Sequence, residues 1–427
     1  MSNNNDNPAG SSGSFRINSM LAGMMFLQYM LVAVFFPQLS SYLKKMNVDG
    51  YYTSLILSSM AIGSMLSPVI GALADRYFPA QRVLSVANIL TAIFLALAAT
   101  ADGPFKLFVF TLLAMICYMP TWSLTSSIAM THAKPEIFPR IRMFGTIGWV
   151  ASGLFSIVAI NLCNVPAFDS TKLPLYCGAA IAVVAAISNI FLPNTPPGRK
   201  DTPFSPSEVL GLKAFSLLRD KNYLVFFTCI FFATIPFTLY FNYGATFLDD
   251  YGFTYKTVTM NWGQCAEMFF LFVTTTLMTR LGIKKAILLG LLALTLRYGA
   301  FWLAAKQDVT GLFYAGILFH GLIFGLLFVG GQVYTDKKSP AGLRSQSQGM
   351  LAFSIWGIAI LLANFIIIKL IDFYTTTSTQ IVKDTLDRVV VQKVDWIPLF
   401  EIATYASIGA FVFFLLFFRE EKEPALQ

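Results

Sequence analysis

The chain has 427 residues, of which 56% are hydrophobic and only 12% charged, whereas a soluble domain carries roughly a quarter charged residues. With a mean hydropathy of +0.65, most of its surface has no use for water, and a soluble protein is excluded. The formal net charge of +8 does not indicate nucleic acid, because the Lys and Arg residues sit in short loops between apolar runs, where a basic excess sets membrane orientation.

In chain order, residues 1–18 read as a polar tail. No small-residue cleavage site follows a short apolar core, so the first apolar run is a retained helix and no signal peptide is implied. Spans are predicted at 19–43, 52–74, 83–101, 105–129, 142–162, 174–192, 223–245, 257–279, 285–304, 310–333, 346–369 and 397–418. Runs of about 20 apolar residues suffice to cross a hydrocarbon layer about 30 Å thick. The longest internal polar interval, Pro193 to Asn222, carries Arg199, Lys200, Lys213, Arg219 and Lys221 and divides the runs six and six.

The expected organisation is a cytoplasmic tail (1–18), an N-terminal six-helix half (19–192), a cytoplasmic linker (193–222), a C-terminal six-helix half (223–418) and a second cytoplasmic tail (419–427). With both termini inside, Lys and Arg number roughly 19 in the inner segments against about 10 in or beside the outer loops, which supports that orientation. The outer loop from Ile371 to Asp395 carries Lys383, Arg388 and Lys393, and its length leaves room for a short helix outside the bilayer.

A faint repeat links the halves. Gly71-Ala-Leu-Ala-Asp75-Arg76 lies between spans two and three, and Thr279-Arg280-Leu-Gly282-Ile-Lys284-Lys285 lies at the equivalent place between spans eight and nine. Two six-helix halves related by an axis along the membrane normal are how one large transporter class builds a midplane cavity. Gly71, Asp75 and Arg76 then read as a gating loop, in which glycine permits close helix approach and Asp75 faces a neighbouring helix N-terminus. A solvated turn with a chance Asp-Arg pair fits the same residues.

Ionisable groups deep in the spans are few, and each costs at least about 2.5 kcal/mol without compensation. Arg142, Glu267 and Arg297 stand out. Gln264 and Glu267, at i,i+3 on span eight, share one helix face, although a structural ion pair between Glu267 and Arg297 fits the pattern too. Arg142, Thr146 and Trp149, at i, i+4 and i+7 on span five, form a stripe of cation, hydroxyl and aromatic plane suited to an aromatic, hydrogen-bonding solute. An Arg142 that snorkels to the headgroups and a Trp149 that packs in lipid or core fit the same positions.

His320 and Phe324, at i,i+4 on span ten, extend the polar face or pack within the bundle. On span seven, Thr238, Tyr240, Phe241 and Asn242 lie near Pro236, which permits a kink. Cys117, Cys163, Cys177, Cys229 and Cys265 show no C-x-x-C spacing, and with only two histidines, His132 and His320, no metal site or cofactor is expected. Cys163 and Cys177 flank one outer loop, though buried apolar roles describe them more simply.

Several stretches resemble the nucleoside:proton symporter family of the major facilitator superfamily, and the resemblance covers nearly the whole chain. They are Gly71-Ala-Leu-Ala-Asp75-Arg76, Ile141-Arg142-Met-Phe-Gly145-Thr146-Ile-Gly148-Trp149, Gln264-Cys-Ala-Glu267, Leu296-Arg297-Tyr-Gly-Ala-Phe301 and Arg344-Ser-Gln-Ser-Gln-Gly349. The resemblance implies that Arg142, Thr146, Trp149, Gln264 and Glu267 line a nucleoside site and that Glu267 takes part in proton coupling. The chain departs from the family pattern in four places. That pattern has amide side chains where Thr238 and Phe241 align, a tyrosine where His320 stands, an aspartate where Gly325 stands, and a tryptophan-rich first span.

The expectation is therefore an all-α membrane protein with twelve transmembrane helices in two six-helix pseudo-repeat halves, the major facilitator fold. It would sit in a bacterial cytoplasmic (inner) membrane and work as a monomer on a nucleoside and protons, with no nucleic acid partner. Arg142, Thr146, Trp149, Thr238, Phe241, Gln264, Glu267, His320 and Phe324 would bind the solute, with Glu267 coupling proton to solute by alternating access. The rivals are a proton symporter for another polar solute, such as a sugar or a sugar-containing cell-wall fragment, and a non-transporting receptor or sensor. An enzyme is not expected, since no nucleophile with a base, metal cluster or phosphate loop accompanies the spans.

Overall fold

A computed structural model of the chain describes residues 8–134, 136–197, 212–340, 343–381 and 388–419. The expected tail at 1–7, the linker at 198–211 and the tail at 420–427 lie outside the described residues. In chain order the helices are α1 (Pro8–Ala33), α2 (Leu39–Lys45), α3 (Gly50–Leu57), α4 (Ser59–Tyr77), α5 (Ala80–Ala99), α6 (Pro104–Tyr118), α7 (Thr121–His132), α8 (Phe138–Ala151), α9 (Gly153–Asn161) and α10 (Leu173–Ile190). They continue with α11 (Lys221–Asp250), α12 (Lys256–Gln307), α13 (Thr310–Lys338), α14 (Gln346–Phe373) and α15 (Trp396–Phe417).

Ten helices among the described residues are long and apolar enough to cross a membrane. With α1 and the part of α12 ahead of Gly282, the order is consistent with the twelve expected spans. Several spans are broken where the sequence reading drew them whole. Span one starts at Pro8, inside the stretch read as a tail, and is interrupted at 34–38 around Pro37, which cannot donate to the helical ladder. Gly282 adopts φ 78° inside α12, a left-handed backbone that glycine reaches without strain, and so the basic stretch after Thr279 marks a bend between two rods.

Two compact units emerge. One gathers the described residues of Met1–Phe36, Ile62–Phe168 and Lys172–Phe204, the other those of Pro37–Ala61, Asp169–Thr171 and Ser205–Gln427. In the first, α1 packs on α8, and α5 packs on α6 and α10. A Cβ at Gly148 would run into the carbonyl of Phe26, so this small residue is what lets α8 lie against α1. At Gly71 a Cβ would meet Ser123 Oγ at 3.6 Å, an ordinary contact. The close approach expected of Gly71 is therefore found at Gly148 instead, and the expected gating loop is the helical last part of α4. The side chains of Asp75 and Arg76 lie outside the described residues.

In the second unit, α12 packs on α13 and α15, and α11 on α14 and α15. A polar knot ties α2 and Asp169–Ser170 to the facing ends of α11 and α12. Lys256 Nζ donates to Asp249 Oδ1 (2.6 Å) and Ser170 Oγ (2.8 Å), Thr257 Oγ1 donates to Asp169 Oδ1 (2.8 Å), and Gln38 Nε2 donates to Thr257 Oγ1 (2.6 Å). Elsewhere in this unit Asn242 Nδ2 donates to Asn364 Oδ1 (2.8 Å), and Asn364 Nδ2 to Ser58 Oγ (3.0 Å). This spends the Asn242 amide on packing between α11 and α14.

The short helix expected between Ile371 and Asp395 is replaced by an antiparallel pair, β1 (Thr375–Ile381) and β2 (Arg388–Val394), in register from Thr375 opposite Val394 to Ile381 opposite Arg388. The run of threonines in β1 and of valines in β2 explains it, since β-branched side chains are stiff at χ1 and suit an extended backbone. All five cysteines are free thiols.

Candidate functional site

In the first unit, α8 carries Arg142, Thr146 and Trp149, each half-buried. The Arg142 guanidinium lies over the ring of Tyr29, with Cζ 4.2 Å from its centroid, and Tyr29 stacks on Trp122 at 5.1 Å, giving three planar groups in succession. Arg142 is thus turned onto an aromatic face, where snorkelling was the alternative. Trp149 packs against the apolar cluster of Leu21, Met24, Leu84 and Ile141, so core packing is part of its role.

Behind that stack runs a buried hydrogen-bond chain that the sequence reading missed. Gln28 Nε2 donates to Thr121 Oγ1 (2.5 Å), Asn88 Nδ2 donates to Gln28 Oε1 (3.0 Å), Tyr118 OH donates to the Gln28 carbonyl (2.6 Å), and Trp122 Nε1 donates to Tyr118 OH (2.8 Å). The Trp122 ring is therefore fixed by its own N–H as well as by packing. The signal was available: Gln28 is a lone amide in the apolar run 20–36, and a polar group in such a place must find a partner.

In the second unit, Gln264, Glu267, His320 and Phe324 come together, with each pair sharing the helix face that its spacing predicted. Glu267 is 8% exposed in the middle of its span. His320 Nε2 lies 3.5 Å from Glu267 Oε2 and 3.2 Å from Gln264 Nε2. Around the imidazole stand the rings of Phe237 (5.8 Å), Tyr240 (5.7 Å) and Phe324 (6.1 Å), with Phe241 stacked on Phe237 at 5.8 Å. Trp356 closes the far side against Phe237 (6.1 Å) and Phe324 (6.2 Å). Phe324 and Trp356 both lie on π-helical turns, at 323–329 and 353–359, and such wide turns recur at functional sites because they re-aim side chains.

Thr238 is not brought into this cluster by any hydrogen bond. Its buried hydroxyl donates to the Thr234 carbonyl of its own helix at 2.8 Å. Where the family pattern has an aspartate, Gly325 sits against α12 so closely that a Cβ would collide with Thr274 Oγ1, so this packing has no room for a side chain. Nor does Arg297 pair with Glu267 among the described residues. Its guanidinium is fully buried with Cζ 4.5 Å from the Tyr240 centroid, Nε donates to the Gly316 carbonyl (3.3 Å), and Nη1 and Nη2 have no hydrogen-bond partner among the described residues.

The position of Tyr240 has a local cause. Tyr240 N donates to the Tyr298 hydroxyl at 3.2 Å, and that hydroxyl donates to the Pro236 carbonyl. A phenol is thus inserted into the backbone ladder of α11 where an intrahelical bond would run, opening the helix beside Pro236. The sequence reading placed the disturbance at Pro236 but did not see that Tyr298, next to Arg297, props it open.

A carboxyl, an imidazole, an amide and several aromatic faces, held in a hydrophobic span, can bind a planar hydrogen-bonding solute and can take up or release a proton. The profile of the nucleoside H+ symporter family matches residues 15–423. The chain belongs to that family. As a nucleoside H+ symporter family member it is a multi-pass membrane transporter and not an enzyme.

Among this family member's relatives, YegT of Escherichia coli K12, which carries the name of a nucleoside transporter, is 34% identical over 81% of this chain and 83% of its own length. The nucleoside permease NupG of E. coli K12 is 25% identical over 92% of this chain and 94% of its own length. The crystal structure of the nucleoside transporter NupG superposes with TM-score 0.81 at 22% identity, covering 95% of this chain and all of that one (100%). A D-xylose-proton symporter follows with TM-score 0.69 at 13% identity over 97% and 99% of the two chains. These structural likenesses speak for the fold, which is that of the major facilitator superfamily.

Proposed function

We propose that this symporter imports nucleosides together with protons across a bacterial cytoplasmic membrane, as a monomer with both termini inside, by alternating access. Arg142, Thr146, Trp149, Gln264, Glu267, His320, Phe324 and Phe241 bind the polar edges and the ring of the solute. Glu267 exchanges the proton. Gly71, Asp75 and Arg76 belong to the gating machinery, and residues 193–222 link the two halves.

The observation that carries this reading is a nearly buried carboxyl at the centre of a span, beside an amide and a set of aromatic rings, in a family of nucleoside H+ symporters. An ionised carboxylate is costly to carry through an occluded apolar state, and a protonated one is not, so protonation ties the change of state to the proton. One proton moving down about 100 mV releases about 2.3 kcal/mol. At about 1.4 kcal/mol per tenfold, that sustains roughly fifty-fold accumulation at one proton per solute.

The test is uptake of labelled nucleosides into proteoliposomes with and without an inward proton gradient. Wild type accumulates nucleoside only with the gradient. Glu267→Gln keeps nucleoside exchange, at reduced affinity, and loses uphill accumulation. Wild-type flux that ignores the gradient, or a carrier that moves a sugar and no nucleoside, would reject this proposal.

A further inference from the structure

His320 is a buried imidazole held beside a carboxyl. The residue is 1% exposed, and Nδ1 has no hydrogen-bond partner among the described residues. At Nε2 a carboxylate oxygen of Glu267 (3.5 Å) and the amide of Gln264 (3.2 Å) converge. The Glu267 distance is ion-pair range, slightly longer than a formed hydrogen bond. Around the imidazole, α12 presents Glu267 ahead of Gly282 and the guanidinium of Arg297 beyond it, α11 presents the phenol of Tyr240, and the indole of Trp356 on α14 lies behind the Phe237 and Phe324 rings.

We propose that Glu267 and His320 bind the driving proton as one two-site acceptor, so that His320 sets the pH range in which Glu267 couples; this rests on the symport reading above. The proton balance is simple. With the proton on Glu267, its O–H donates to a neutral His320 Nε2. Transfer from Oε2 to Nε2 leaves a carboxylate and an imidazolium, and the pair remains at zero net charge with its heavy atoms nearly in place. Nδ1 keeps its proton in both forms. The fixed charge of Arg297 opposes a second proton, so the pair takes up one.

Two groups that interact by more than about one pK unit titrate as a pair, and the macroscopic value belongs to both. A tyrosine at this position could not share the proton in this way, because a phenol with an ordinary pKa of about 10 stays protonated throughout, whereas imidazole titrates near about 6.5. In this role His320 is a positioning and proton-sharing partner that acts through Glu267.

The chain has only two histidines, so the test is direct. Histidine labelled with nitrogen-15 is followed by NMR against pH in purified protein, with His132→Gln used to assign the two signals. We expect the midpoint of the His320 ring to fall by about one unit or more in Glu267→Gln, which removes the carboxylate. The same midpoint in both proteins, or a ring that does not titrate in the wild-type protein, overturns the proposal.

A second readout uses a pH electrode to record protons taken up by purified protein when a nucleoside is added. In His320→Tyr the pH profile of that uptake moves about one unit toward acid, and an unmoved profile overturns the proposal as well. The NMR titration needs no transport, so its failure leaves nucleoside symport standing. Conversely, an absence of proton-driven nucleoside uptake in wild type falls on the symport reading alone.

Discussion

Two polar clusters on α11 and α12 treat buried charge in opposite ways. At the start of α12 the Lys256 side chain is 3% exposed, yet its ammonium has the carboxylate of Asp249 and the hydroxyl of Ser170 as partners, while Ser41 adds a further bond to Asp249 (3.0 Å). Farther along the same helix, Arg297 is fully buried with Nη1 and Nη2 unpartnered among the described residues, and His320 beside it has a likewise unpartnered Nδ1. Burial is about equal and satisfaction is not. Buried polar groups in folded proteins are nearly always paired, so a saturated cluster belongs to the scaffold. At Arg297 and His320, by contrast, buried nitrogens stay open among the described residues.

The largest effect that would break this comparison lies at the saturated end. Asp249→Ala strands the Lys256 ammonium, and because the Asp249 side chain is 41% exposed and screened by solvent, the loss falls below the about 3–5 kcal/mol of a fully buried pair. A clear fall in the thermal midpoint of the purified protein is expected, and most of it should return in Asp249→Ala with Lys256→Met. Equal stability of all three proteins would mean that the knot is not structural.

A smaller effect sharpens the other side. Tyr298→Phe removes the hydroxyl that bridges Tyr240 N and the Pro236 carbonyl, leaving two buried backbone groups to re-pair or go unsatisfied at about 1–3 kcal/mol. Because Tyr240 carries both Arg297 and His320 on its ring, nucleoside affinity should weaken along with stability. A loss of stability with unchanged affinity would separate the prop from the site.

The smallest expected change is at Asp220, which caps α11 by accepting from Asn222 N (2.8 Å) and Tyr223 N (2.9 Å) and pairs with Lys338 (3.1 Å). Burial alone would raise this carboxyl, but the Tyr223 amide, the Lys338 ammonium and the Asn222 amide outweigh it and hold it below the usual carboxylate range. Its contribution is present above the unfolded carboxyl's pKa of about 4 and is lost as pH falls through the lower folded value. Asp220→Ala should cost about 1 kcal/mol near neutrality, with the two melting curves converging in acid. A gap that persists at low pH would assign the cost to packing.

The fold was legible because membrane spans obey a length rule that acts on continuous runs of the sequence. Gln264, Glu267 and His320 were legible for a related reason: each is out of place in an apolar helix, and helical spacing puts Gln264 on the face of Glu267 and Phe324 on that of His320. What escaped were relations between distant segments. Nothing at position 298 says that a phenol enters the ladder of another helix, and nothing at 297 says that an arginine in the same region as Glu267 leans on Tyr240. The hairpin after α14 was misjudged for another reason, since loop length was weighed and the β-branched threonines and valines were not.

The central claim is that Glu267 links proton to solute, and a paired flux measurement bears on it most directly. Nucleoside and proton entry are recorded together in the same proteoliposomes, for wild type and for Glu267→Gln at matched nucleoside flux. The account predicts a fixed proton-to-nucleoside ratio in wild type and a ratio near zero in the variant. An unchanged ratio in Glu267→Gln would contradict it.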